Sequence, residues 1–100
     1  MARHRPRAAK WAVEGLRCYV RTLGCSVLGC GRRAQAAHAP KTKRLGHDRN
    51  NLVPLCAGHH GEQHAMGIVS FQAKYGLDLA KIARKVTRDY EALARVLMKP

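Results

Sequence analysis

Acidic residues are scarce in this chain. Six Asp and Glu stand against nineteen Lys and Arg, a formal net charge of +13 over 100 residues. So lopsided a balance calls for a polyanionic partner, most simply nucleic acid. An anionic membrane surface is the rival, but the sequence has no long apolar run and no signal peptide, so no membrane partner is expected. Aromatic residues are also few. One Trp, one Phe and three Tyr make no platform for stacked bases, and no stretch carries a clear set of base-contacting side chains. Weak sequence preference is therefore expected, with affinity that falls steeply as salt rises. The length implies one small domain, whose modest core a bound metal would supplement.

Cysteine and histidine are unevenly spread. Three of the four cysteines and five of the six histidines lie between Cys25 and His64. Two constellations separate there by spacing. Cys25-x4-Cys30 and Cys56-x2-His59 form two knuckles, the arrangement that encloses a structural zinc ion tetrahedrally with no open position. The alternatives are four residues that never meet, or a Cys25/Cys30 disulfide. Zinc rather than disulfide chemistry suits a reducing, cytoplasmic setting. The second constellation is His38, Asn51, His60 and His64. A helix starting near Ala57 places His60 and His64 one turn apart on one face, as in other helical metal-binding pairs, while His59 turns about 100° away toward the zinc. A pair of solvated surface histidines is the alternative.

The motifs AAH, HD, NLVPLC, HH and EQH together resemble the HNH endonucleases of the ββα-metal class. The full pattern is similar to small phage and prophage HNH proteins and to the nuclease domain of a RecA-dependent phage nuclease, over residues 17–80. The resemblance implies that His38 is the general base, that Asn51 shapes the active-site loop, and that His60 and His64 bind a catalytic divalent ion (Mn2+, Mg2+, Ni2+, Co2+ or Zn2+). It also implies products with 5′-phosphate and 3′-hydroxyl ends. One departure matters: many relatives carry Asp or His immediately before the base, where this chain has Ala37. Either waters complete the shell of the ion, or Asp48 or His47 supplies a ligand. His38 as a metal ligand, with another group taking the proton, is a further alternative.

The implied fold is α+β: a small zinc-stabilised ββα-metal core of a two-stranded hairpin plus helix, flanked by an N-terminal helix and a long C-terminal helix. Residues 1–10 carry four Lys or Arg and read as a basic flexible arm, and 11–100 as a single nuclease domain with core 25–66 and a helical extension 68–98. Trp11, Leu16, Tyr19, Val20 and Leu23 mark an amphipathic helix from Lys10 to Leu23, weakened at Gly15, with the leftover Cys18 buried as a small apolar residue. The hairpin pairs 35–39 with 52–55. Its connecting loop brings Lys41, Lys43, Arg44 and Arg49 near a scissile phosphate, unless that loop is merely solvated. The metal-bearing helix spans 57–65 and stops at Gly67. Ser70 caps a helix ending at Gly76, and Asp78 caps a helix to Met98 whose stripe of Leu79, Ile82, Val86, Tyr90, Leu93 and Leu97 suits a core face or a dimer seam. Lys81, Arg84, Lys85 and Arg88 lie on its remaining surface.

Three classes of function fit. The first is a metal-dependent DNA endonuclease of low sequence specificity, alone, as a homodimer, or with a phage or recombination partner. The second is a zinc-stabilised nucleic-acid-binding module without catalysis. The third is an interaction protein that pairs through its C-terminal helix.

Overall fold

A two-stranded antiparallel hairpin lies between two apolar clusters, and every other element is arranged around it. The computed structural model describes residues 7–39 and 48–97, with side chains described from residue 14 onward. Within them the elements run α1 (Arg7–Thr22), β1 (Gln35–His38), β2 (Leu52–Leu55), α2 (Ala57–Met66), α3 (Ile68–Tyr75) and α4 (Leu79–Leu97). The architecture is the expected α+β arrangement. The loop cations Lys41, Lys43 and Arg44, with His47, lie outside the described residues, as do residues 1–6 of the arm expected over 1–10, whose residues 7–10 are helical.

The hairpin register pairs Gln35 with Leu55 and His38 with Leu52. Strand geometry sends alternate side chains to opposite faces, and the two faces are buried separately. Ala37, Val53 and Leu55 pack with Val27, Phe71, Leu79 and Ala83, whereas Leu52 packs with Leu16, Val20 and Val86, with Ala36 alongside. All four β2 residues are buried, which accounts for the apolar run LVPL. Ile82 touches both clusters, so α4 ties the two faces together. The segment following α2 is therefore part of the core, since Phe71, Leu79 and Ala83 are fully buried in it.

Proline is tolerated in β2 because the strand has a free edge. Ala39 N–H donates to Asn51 at 2.7 Å, which makes the His38/Leu52 and Ala36/Pro54 pairs non-hydrogen-bonded by alternation. Pro54 then loses no ladder bond. Its outward carbonyl accepts from Ser26 N–H at 2.9 Å and Ser26 Oγ at 2.8 Å, which fastens the first knuckle to the sheet.

Several local expectations change. Helix α1 begins at Arg7, ahead of Lys10, and runs unbroken through Gly15. A Cβ at Gly15 would lie 2.1 Å from Tyr90 Oη, so glycine is there to admit a ring that also packs on Tyr19 at 5.6 Å between centroids. Cys18 is exposed rather than buried, because it lies on the far side of α1 from Leu16 and Val20. Ser70 is inside α3. The N-cap is Gly67, which also ends α2 with φ 86°. Gly76 closes α3 in the left-handed conformation, and Asp78 Oδ1 accepts from Lys81 N–H at 3.1 Å as the cap of α4. The apolar stripe of α4 outruns the core: Leu93 is 44% exposed and Leu97 72%.

Substituting Gly15 by Ala should lower the thermal midpoint, even though alanine is favoured by about 1 kcal/mol inside a helix. In a Tyr90→Phe background, where the opposing oxygen is gone, the same change should cost less or stabilise. Thermal unfolding of the four proteins in this cycle measures the coupling, and additivity within about 0.5 kcal/mol would refute the close approach.

Candidate active site and metal centre

The first knuckle and the start of α2 converge. Cys25, Cys30, Cys56 and His59 bring one ligand atom each to within 4.8 Å of one another. The Sγ atoms of Cys30 and Cys56 are 3.8 Å apart, and His59 Nδ1 lies 3.4 Å from Cys25 Sγ and 3.2 Å from Cys56 Sγ. Zinc bonds of about 2.3 Å to sulfur and about 2.0–2.1 Å to nitrogen imply tetrahedral edges of about 3.8 Å between sulfurs and about 3.5 Å between sulfur and nitrogen. The donor types and the spacings fit that ion, so these four residues can hold a structural zinc. All four cysteines are free thiols, which removes the Cys25/Cys30 disulfide.

Local structure prepares the thiols. Cys56 is the N-cap of α2, and its sulfur accepts from His59 N–H at 3.4 Å. That backbone bond, helped by the neighbouring Cys30, Cys25 and His59 side chains and opposed by burial, lowers the Cys56 thiol to about 7. Burial pushes the Cys25 thiol upward, so metal rather than solvent must favour its thiolate. Tyr75 stands edge-on to the His59 ring at 5.1 Å. Glu62 bonds Tyr75 Oη and Lys74 Nζ, which places it on the zinc side of α2, away from His60 and His64.

The other face of α2 carries the histidine pair. His60 Nε2 and His64 Nε2 face each other at 3.1 Å. Two imidazole nitrogens each about 2.0–2.1 Å from a shared ion stand about 3–3.4 Å apart, so the pair fits two positions of one metal shell. Gln35 Oε1 lies 2.9 Å from His60 Nδ1. An amide oxygen accepts only, so Nδ1 carries the proton and Nε2 keeps its lone pair for a ligand. Burial first, then the neighbouring His64 and His38, depresses the His60 pKa and favours the neutral ring that a metal requires.

His38 closes β1, and its carbonyl faces away from β2, where Gln63 Nε2 donates to it at 3.1 Å. Gln63 is buried between His60 and His64 in the sequence of α2, so it ties the end of β1 to the histidine-bearing helix. The His38 ring is turned toward Asp48, with Nε2 2.9 Å from Oδ1. Arg17 Nε donates to the other Asp48 oxygen at 2.5 Å. Burial raises the Asp48 pKa, but hydrogen bonds and charge from Arg17 and His38 together outweigh it and leave the carboxyl below the usual range. Among the described residues Asp48 forms no three-ligand cluster with His60 and His64. Asn51 is buried, with its N–H on the Asp48 carbonyl at 3.0 Å and its carbonyl accepting from Ala39. Arg49 pairs in two bonds, 2.6 and 3.0 Å, with Glu91 of α4.

Sequence reasoning missed Gln35, Gln63 and Arg17. Gln35 opens the strand that His38 closes, and Gln63 lies beside His64, so proximity was the only available signal. Arg17 offered none, being one of many exposed cations.

Stripping zinc with a strong chelator should unfold the chain, and re-addition should restore it, since a structural site of this type contributes about 10 kcal/mol or more at neutral pH. Circular dichroism with metal analysis measures this. Cys30→Ser should lose the tightly held ion, whereas His64→Ala should keep one zinc per chain; equal loss from both would refute two separate sites.

The chain matches the family model described as "Putative HNHc nuclease" over residues 11–97. No curated protein and no solved structure matches it. The match takes in the knuckle, the hairpin, the histidine-bearing helix and all of α4. It implies nuclease chemistry on a nucleic-acid substrate, and on that span the chain belongs to the HNH nuclease family.

Proposed function

We propose that the protein is a metal-dependent DNA endonuclease of low sequence specificity, working in the cytoplasm. The observation that carries this reading is the opposed His60/His64 nitrogen pair at 3.1 Å on the helix that Gln63 links to His38. His38 is the general base, an imidazole being suited to proton transfer near neutral pH. Its ring takes a proton from water as the water oxygen bonds to phosphorus; the phosphorus–O3′ bond breaks and the leaving oxygen is protonated from solvent. His60 and His64 hold the divalent ion, which supplies charge neutralisation at the scissile phosphate when bound. Imidazole ligands favour zinc, nickel, cobalt or manganese over magnesium. Asn51, buried in the turn after Asp48, keeps the site in shape. Cys25, Cys30, Cys56 and His59 hold the structural zinc.

DNA contacts come from cations. Lys41, Lys43 and Arg44 of the hairpin loop are proposed to bind phosphates, as are the cations of a groove on α4 lined by Lys81, Ile82, Arg84, Lys85 and Arg88. Lys85 is partly offset by Asp89 at 2.6 Å. Arg49 is committed to Glu91, so its contribution to DNA needs that pair to open. The competing reading, a binding module without catalysis, draws on Ala37, which is fully buried where many relatives place a ligand.

Plasmid cleavage with Mn2+, Mg2+, Ni2+, Co2+ or Zn2+ added tests the proposal. Metal-dependent nicking or linearisation is expected, falling by about 10² or more in His38→Ala and in His60→Ala while salt-sensitive DNA binding persists. Binding without cutting under every metal would favour the module.

A further inference from the structure

We propose that Asp48 is the positioning residue of the His38 base, holding the ring with its proton on Nε2 so that Nδ1 receives the proton of the attacking water. The inference rests on the nuclease reading and adds to it an atom and a partner. Asp48 is only 1% exposed, and an ionised carboxylate there must be balanced by donors. Arg17 supplies one and His38 the other, so both oxygens are committed.

Tautomer follows from donor and acceptor types. An ionised carboxylate can only accept, so the nitrogen 2.9 Å from Oδ1 must be protonated, which leaves the lone pair of neutral His38 on Nδ1. Among the described residues Nδ1 forms no hydrogen bond, and the His38 side chain is 56% exposed, so the ring is open to water and substrate. As the proton arrives on Nδ1, the imidazolium gains the full charge of Asp48 across the Nε2 bond, the service a buried carboxylate performs for a catalytic histidine elsewhere. Arg17, bonded to the other oxygen, helps keep the buried Asp48 carboxylate ionised.

The carboxylate is held from several sides. Its backbone carbonyl accepts from Asn51 N–H at 3.0 Å, and the following turn is fixed to α4 by Asn50 N–H on Thr87 Oγ1 at 2.8 Å. Asn50 accepts a positive φ of 59° to make that turn. Bonds running to α1 and α4 thus decide where one oxygen meets one ring nitrogen.

The test combines nitrogen-15 NMR of the zinc-loaded full chain at pH 8 with single-turnover plasmid cleavage by wild type, Asp48→Asn and His38→Ala. In the wild type the His38 signals should report the Nε2–H tautomer; Nδ1–H would overturn the proposal without any variant. Asp48→Asn can present its amide N–H to the ring, so the tautomer should reverse and the cleavage rate at saturating protein should fall by about 10² or more, with DNA affinity, zinc content and melting temperature near wild type. Wild-type cleavage by Asp48→Asn, with His38→Ala inactive, would refute the positioning role and leave the nuclease reading standing. Wild-type cleavage by His38→Ala would refute that reading itself. Should Asp48→Asn fail to fold, the wild-type tautomer decides.

Discussion

Three thiols and one imidazole gathered within 4.8 Å set the frame for everything else. Two of the ligands come from a turn that precedes the hairpin and two from the first turn of α2, so an ion there joins segments that the chain separates by the whole hairpin. The apolar core alone is slight. Four of its buried members are alanines, and its two clusters are divided by a sheet of only two strands. A metal bound at that cluster would add its binding free energy to such a core. The Ser26 bonds to the Pro54 carbonyl continue the same attachment, so the knuckle grips both the sheet and the helix.

Once the zinc-type cluster fixes the first turn of α2, helical periodicity does the rest. His59 faces the cluster, His60 is rotated away from it, and His64 follows one turn later on the same side. Adjacent histidines therefore point to different sides of α2. The hairpin edge contributes a second restraint, because the His38 carbonyl left outside the ladder is taken up by Gln63. Gln35 at the other end of β1 reaches His60, so a four-residue strand meets α2 at both ends.

The basic surface is not uniformly available. Arg17 is bound to Asp48 and Arg49 to Glu91, although both are cations in a chain with very few acids. The exposed Arg49 pair contributes little and salt weakens it, whereas the Asp48 carboxylate is buried and does not tolerate losing its donors. A charge count alone cannot separate the two cases.

Much of the fold was legible in the sequence for reasons that are local. Ligand types and their two-knuckle spacing indicated the metal cluster, alternation and the LVPL run marked the hairpin, and Gly67, Gly76 and Asp78 punctuated the helices almost where they do in the structure. Local signals failed where packing decides. Gly15 reads as a helix weakness but is a seat for Tyr90, Ser70 reads as a cap but gives way to Gly67, and Cys18 reads as buried but lies on the solvent side of α1. The sequence by itself determined which side chains can bind metal and which stretches become strand or helix, because those depend on residue type and on neighbours one turn or two residues away. Only the tertiary structure decided that Asp48 meets His38 and Arg17, that Gln35 and Gln63 serve the histidines, and that Arg49 belongs to Glu91. Those partners lie 10 to 42 residues apart, and their meeting depends on how helices settle on the hairpin, which no sequence period encodes.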